Sequence, residues 1–196
     1  STETWSSSAN STMTRKGAGA TSTTTNAYIA GGTMARGDGG SHNNNMDKYT
    51  YATSTFSTIP GSDAGDIPGP STANKQSAAG NQTQGYFTFG SPGTYQNACD
   101  KLVYSNETMS NLPSMPFKTA RAVAISMQTA GYYGSGAGND DKGSYFTKIT
   151  FATDTKSGNL PGWRAHSSGS NMFRSGSSSS TKAYVCSGES TTRSME

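Results

Sequence analysis

Two histidines and two adjacent aspartates are the side chains of this sequence best suited to metal chemistry. His42 and His166 have no partner at metal-ligand spacing. Asp140 and Asp141, within GNDDKGS, offer oxygen ligands that suit Ca²⁺, but their spacing differs from the twelve-residue EF-hand loop. All four residues lie in loop-like sequence, so solvated side chains and ordinary turns are the simpler interpretation.

Catalysis is not indicated by any arrangement of nucleophile and base. The sequence contains no G-x-S-x-G motif, and no spacing suggests a Cys–His pair or two glycosidase carboxylates. The triplet Arg36-Gly37-Asp38 occurs in some integrin ligands, but in a glycine-rich stretch such a match arises easily by chance. We therefore predict a protein that is not an enzyme and that uses no catalytic residue, metal ion or other cofactor.

The composition favours closely packed sheets over a disordered chain. Leu, Ile, Val and Phe together supply only 18 of the 196 residues, whereas Gly alone supplies 24 and Tyr ten. Disorder usually also needs a strong net charge, and here the charge is only +3. No basic run and no long apolar run occurs, so we predict neither nucleic-acid binding nor membrane insertion.

One sequence motif recurs several times along the chain. A tyrosine before a glycine-ended strand recurs as Tyr28, Tyr86, Tyr132 and Tyr184, at separations of 58, 46 and 52 residues. After three of these tyrosines come the related stretches MDKYTYATSTFSTIPG, CDKLVYSNETMSNLPS and FTKITFATDTKSGNLPG. Repeats of about this length are typical of propeller blades.

Each repeat is predicted to form four short strands. The first strand follows a basic residue and is rich in small residues, and the second contains the tyrosine. The third alternates apolar and polar residues, as in DKYTYAT, and the fourth is a strand such as TFSTI. ATST, SNET and ATDT form a tight turn between the last two strands, and no helical apolar stripe occurs. The predicted fold class is therefore all-β, a β-propeller of four four-stranded blades. A solenoid would need shorter and more uniform units, and a sandwich would not explain the repeats.

The two ends of the sequence match the two halves of one repeat. Ser1–Ser6 aligns with Ala52–Ser57, which places Trp5 on Phe56, and the final Met-Glu aligns with Met46 and Asp47. This alignment predicts a ring that is closed by strands from both termini, with Ser1–Ser8 beside a strand of region 181–196. The alternative is that a neighbouring segment or subunit supplies the missing strand.

The predicted domain organisation is a single propeller domain over residues 1–196. Its blades are expected at about 9–60, 61–115, 116–162 and 163–196 plus 1–8.

The stretch STETWSSSANSTMTRKGAGATSTTTNAYIAGG resembles Kelch-like propeller repeats. In those repeats a T-x-T-W strand precedes a basic residue, a small-residue strand and a strand that ends in Gly-Gly. The sequence is most similar to the degenerate repeats of tail-fibre and other virion proteins of tailed phages, especially marine and cyanobacterial ones. Only the first repeat keeps the double glycine, at Gly31–Gly32.

This resemblance implies a non-enzymatic structural and recognition module of a virion, in a tail fibre, tail spike or capsid decoration. Its partners would be other structural proteins of the particle or copies of itself, and a host-surface glycan or protein. The expected location is the virion or the extracellular space. The alternative is a secreted or surface-displayed bacterial adhesin or lectin-like propeller, and an enzyme on a propeller scaffold ranks third.

Recognition is predicted at the long connections that join the second to the third strand and one blade to the next. Variable loops on a rigid scaffold commonly carry binding residues. The ligand-binding candidates on that face are Arg36, Asp38, His42, Tyr95, Asp140, Asp141, Trp163 and His166.

Overall fold

A computed structural model describes 7–12, 15, 17–32, 46–59, 77–90, 94–134, 136, 145–161, 175–179 and 181–186. Within these ranges every regular element is a β-strand, which confirms the all-β prediction. No helix in the described part of the chain has the length and apolar character needed to cross a membrane.

The strands form three four-stranded antiparallel sheets and one two-stranded sheet, each in chain order. The first sheet contains β1 (Gly19–Ser22), β2 (Asn26–Ala30), β3 (Met46–Thr50) and β4 (Thr55–Thr58). The second contains β5 (Ser77–Gly80), β6 (Gln84–Thr88), β7 (Cys99–Val103) and β8 (Thr108–Asn111). The third contains β9 (Val123–Ser126), β10 (Ala130–Gly134), β11 (Tyr145–Thr150) and β12 (Thr155–Pro161). The fourth contains β13 (Ser175–Ser178) and β14 (Ala183–Cys186).

The first strands of consecutive sheets contact one another in the order β1, β5, β9 and β13. This succession is consistent with a propeller-like arrangement. The fourth sheet differs from the prediction because only two of its strands are described. The described sheets also do not form a closed ring, and of the segments predicted to close it, 1–8 and 181–196, the parts 1–6 and 187–196 lie outside the described ranges.

The predicted tight turns between third and fourth strands are present in the first three sheets. Each places one polar residue in the left-handed region, with φ of 52° at Ser54, 53° at Glu107 and 56° at Asp154. Hydroxyl contacts close two of these turns, since the Oγ1 atoms of Thr53 and Thr55 lie 2.7 Å apart and an equivalent pair spans the third turn at 2.8 Å. Short polar side chains therefore produce the same reversal three times.

Glycine lets adjacent sheets approach closely. A Cβ atom added at Gly85 of the second sheet would lie 2.6 Å from both Thr21 Oγ1 and Tyr104 Oη. One added at Gly176 of the fourth sheet would lie 2.8 Å from side-chain atoms of both Val123 and Ile125. The small residues of the repeat thus bring the sheets together, while aromatic residues fill the remaining space between them.

Three buried clusters hold the sheets together. Tyr28, Met46, Phe87 and Leu102 belong to the cluster between the first and second sheets. The cluster between the second and third sheets includes Tyr86, Phe89, Cys99, Met115, Phe117, Tyr133, Ile149 and Phe151. A smaller cluster of Val123, Ile125, Phe146 and Val185 joins the third sheet to the fourth. Each fully buried large side chain contributes about 1.5–3 kcal/mol, so the core consists of layers between sheets.

Two buried aspartates occupy the same position of the third strand in consecutive sheets. Arg15 Nη2 lies 2.9 Å from Asp47 Oδ2, and Thr12 donates to the same carboxylate at 2.5 Å. Asp100 instead accepts a 3.2 Å hydrogen bond from Asn111, and burial raises its pKa to about 7. The contacts to Asp47 also fix the path of the segment that precedes β1.

We expect Tyr133→Phe to lower the free energy of unfolding by about 1–2 kcal/mol. The fully buried Tyr133 hydroxyl donates a 3.1 Å hydrogen bond to the Ala79 carbonyl and so links the third sheet to the second. Tyr145→Phe is the matched control, because Tyr145 packs against the same cluster and its hydroxyl has no hydrogen bond to a described residue. Urea denaturation measures both variants, and equal losses would contradict a specific role for the Tyr133 hydroxyl.

Candidate functional site

Only Tyr95 among the predicted ligand-binding residues lies within the described ranges. It is half-buried in the connection between β6 and β7, next to Gln96, whose backbone forms an antiparallel bridge with Thr119. Seven candidates lie outside the described residues: Arg36, Asp38, His42, Asp140, Asp141, Trp163 and His166. The predicted loop-face site therefore remains a prediction.

A groove of about 580 Å³ lies at the opposite end of the sheets, between the first and second sheets. The turn 23–25 after β1 and the turn 81–83 after β5 form its two rims. Tyr28, Val103 and Tyr104 supply the apolar part of its lining. The groove thus combines hydroxyl and amide groups with aromatic carbon, and every described lining residue is uncharged.

The rims are held by short-range hydrogen bonds. Thr23 Oγ1 accepts from the amides of Thr25 and Asn26 at 3.2 and 3.0 Å. One further hydrogen bond crosses between the sheets, because the Thr24 amide donates to Gln82 Oε1 at 2.8 Å. The carboxamide nitrogen of Gln82 and the hydroxyl of Thr24 have no such contact with another described residue, so both are available to a bound ligand.

Stacked rings form the apolar part of the groove. The Tyr28 and Tyr104 ring centroids lie 4.7 Å apart, with 13° between the ring planes. Burial, followed by the nearby Glu107 carboxylate, raises the pKa of Tyr28. That carboxylate is paired with Lys48, whose Nζ lies 2.6 Å from Glu107 Oε1. The charges close to the groove therefore neutralise each other.

The same set of contacts occurs between the second and third sheets. The Tyr86 ring stacks on Phe151 at 5.3 Å, and Lys101 Nζ lies 2.7 Å from Asp154 Oδ2. Tyr86 donates to Asp154 Oδ1 at 2.5 Å, and burial together with this carboxylate raises the tyrosine pKa.

We call this set of four residues a junction. It comprises the tyrosine of the second strand, the lysine opposite it on the third strand, and an aromatic and an acidic residue of the next sheet. The first junction contains Tyr28, Lys48, Tyr104 and Glu107, and the second contains Tyr86, Lys101, Phe151 and Asp154.

A one-methylene difference distinguishes the two junctions at the groove. In the second sheet Gln84 donates to the Phe151 carbonyl and to the Tyr86 hydroxyl, both at 2.5 Å, so its side chain reaches the third sheet. Asn26 holds the corresponding position in the first sheet and donates only to the adjacent Thr25 hydroxyl, at 3.0 Å. Asn26 and Tyr104 both line the groove.

The described residues offer little for nucleophilic or metal chemistry. Burial raises the pKa of Cys99 to about 12, so its thiol is protonated and a weak nucleophile at neutral pH. No group of three or more His, Cys, Asp or Glu in the described ranges is arranged to hold a metal ion. The prediction that the protein is not an enzyme remains a prediction, because the two histidines lie outside those ranges.

Sequence reasoning located recognition in the long connections and did not identify the groove. The signal for it was the pair of polar turns, TSTTTN at 21–26 and GNQTQ at 80–84, each of which precedes a tyrosine. Their proximity depends on how adjacent sheets pack, which no spacing along one chain reveals.

The geometry defines a class of fold: an all-β, propeller-like succession of antiparallel sheets. Among solved structures, that of YjhT is similar to this chain, with a TM-score of 0.65 and 13% sequence identity. The match covers 88% of this chain and 58% of the YjhT chain, so the protein spans a little over half of that structure. No family model matches the sequence, and no curated protein matches it. At this identity the likeness shows the fold alone.

We expect Asp154→Asn to lower the free energy of unfolding by about 1 kcal/mol at pH 7. The change removes the charge that pairs with Lys101 and leaves the side-chain shape almost unaltered. Ser54→Asn is the control, because Ser54 holds the same turn position with a φ of 52° and has no carboxylate.

The loss should depend on pH. Burial alone would raise the pKa of Asp154, but hydrogen bonds from Lys101 and Tyr86 outweigh it and lower the pKa. The stabilisation is therefore complete above the unfolded value of about 3.9 and is lost as the pH falls through the lower folded value. Urea melts from pH 7 to pH 2.5 measure this. A difference between wild type and Asp154→Asn that is unchanged at low pH would contradict the ionic contribution.

Proposed function

We propose that this protein is a non-enzymatic structural and recognition module that presents binding surfaces on a rigid stack of sheets. The junctions carry this proposal. The charged and phenolic groups of the first two junctions hold adjacent sheets together, which is the use expected in a scaffold. We infer further that the module belongs to a virion, as part of a tail fibre, tail spike or capsid decoration.

The finer architecture is part of the same proposal. We take the sheets to be Kelch-like blades, four in number, in a ring that is closed between the fourth sheet and the first by strands from both termini. Three sheets with the predicted strand order and the contacts between successive first strands support it. The resemblance of the first repeat to Kelch-like sequence supports the family.

The groove favours a neutral, polar ligand such as a glycan. Sugars present hydroxyl groups to side-chain amides and hydroxyls, and their apolar faces pack on aromatic carbon. The rims of the groove provide the polar groups, Val103 and the largely buried rings of Tyr28 and Tyr104 provide the apolar carbon, and the described lining contains no charge. The loop face that contains Tyr95 is a second candidate surface, for a host protein or glycan.

The same groove supports the alternative, a secreted or surface-displayed bacterial adhesin or lectin-like propeller. The virion module and the adhesin differ in where the protein would be found. A virion module would be found with other structural proteins of the particle or with copies of itself, and mass spectrometry of intact particles would detect it. An adhesin would be recovered from the bacterial surface or the medium.

Gln82→Ala should weaken binding to a glycan by about tenfold, the effect of losing one hydrogen bond of about 1.4 kcal/mol. The probe is an array of immobilised neutral oligosaccharides, followed by titration of any positive glycan. Gln128→Ala is the matched control, because Gln128 holds the same turn position in the third sheet and is exposed outside the groove. Equal affinity of wild type and Gln82→Ala for the bound glycan would exclude the groove, and Tyr95→Ala then tests the loop face.

A further inference from the structure

Hydrogen bonds at the turns identify equivalent residues in all four sheets. The turn after each first strand is closed by one backbone pair, in which Thr23, Asn81, Met127 and Ser179 donate to the carbonyls of Asn26, Gln84, Ala130 and Lys182. Counting two residues onward from these carbonyls gives Tyr28, Tyr86, Tyr132 and Tyr184. Tyr184 is therefore the junction tyrosine of the fourth sheet.

A second hydrogen bond identifies the aromatic partner of each junction. The amides of Tyr51, Tyr104 and Phe151 donate to the carbonyls of Thr25, Thr83 and Thr129. Tyr104 and Phe151 each stack on the junction tyrosine of the preceding sheet. Tyr51 is the corresponding residue of the first sheet, which has no described sheet before it.

Tyr51 and Tyr184 are the two exposed large hydrophobic residues of the described chain. Their exposed fractions are 42% and 44%. The ring pairs at the first two junctions are at most 8% exposed. Tyr51 of the first sheet thus has no junction tyrosine from a preceding sheet to stack on it. Tyr184 of the fourth sheet has no aromatic ring from a following sheet.

Tyr184 and Tyr51 are exposed and form no ring contact with each other in the described structure. We propose that they stack on each other within one chain and that this contact closes the ring. The inference rests on the ring closure proposed above and specifies the residues that make it. Tyr184 and Tyr51 are equivalent to the two residues that stack between the first and second sheets and between the second and third. Pairing them would remove both exposed rings from water, in the stacked arrangement seen at the first and second junctions.

The segment that leads into the first sheet supports a contact within one chain. Ser8 is hydrogen bonded to the Tyr49 hydroxyl, two residues before Tyr51. In the third sheet the corresponding residue is Ile149, and β12 of that sheet contacts the linker that follows β8, because Lys156 donates to the Pro113 carbonyl. The described residues 7–12 therefore run over the first sheet as the linker from the second sheet runs over the third. A linked pair of surfaces also meets at a high effective concentration.

The test introduces a pair of cysteines into a chain in which Tyr51 and Tyr184 are unchanged. The last residues of successive first strands contact one another: Gly80 donates to Ser126 Oγ at 3.0 Å, and Ser178 donates to the Ser126 carbonyl. Closure would bring Ser178 to Ser22, the equivalent residue of the first sheet. The full chain with Ser22→Cys, Ser178→Cys and Cys186→Ser is oxidised at low concentration and examined by non-reducing electrophoresis and peptide mass spectrometry. Ser110→Cys with Ser178→Cys is the control pair, because Ser110 is an exposed residue of an outer strand.

The expected result is a disulfide within one chain that forms at least about tenfold more slowly when Tyr51→Ser is added. A disulfide only between chains would overturn closure by one chain, and none at all would overturn closure altogether. A disulfide unaffected by Tyr51→Ser would overturn the role of the stack. Circular dichroism checks that each variant is folded. Glycan binding on the same variants is a separate readout, so failure of closure and failure of recognition are distinguishable.

Discussion

Aromatic stacking between adjacent sheets is the interaction on which the rest of this structure depends. Each described sheet has at most four short strands and few aliphatic residues, so it cannot form a core by itself. The tyrosine of one sheet and the aromatic ring of the next are buried between two hairpins, and glycines such as Gly85 let the backbones approach. The lysine–carboxylate pair beside each stack favours one relative position of the two sheets, because a hydrogen-bonded charge pair requires a specific geometry.

The recognition that we propose would depend on small departures from the repeat. The first and second junctions share their stack and their ion pair, yet Gln84 reaches the next sheet and Asn26 does not. The groove beside Tyr104 is lined by turn residues whose backbone is held by the same hydrogen bonds in each sheet.

Much of the fold was predictable from the sequence, and little of the groove. The spacing of the tyrosines and the similar turn sequences ATST, SNET and ATDT predicted four-stranded units and their tight turns, because such units and turns depend on residues that are neighbours along the chain. The pairing of Lys48 with Glu107, 59 residues later, depends on how two sheets pack. Residues 1–6 and 187–196, which the closure prediction involves, and seven of the eight predicted binding residues lie outside the described residues, so those predictions stand as they were made.

A double-mutant cycle across the first junction tests the central claim most directly. Tyr28→Leu, Tyr104→Leu and the double variant are compared with wild type by urea denaturation. If the rings stabilise the protein through their mutual contact, the double variant loses less than the sum of the single losses, by about 1 kcal/mol. Additive losses would mean that each ring contributes only by its own burial, which would contradict a fold held together by stacking between sheets.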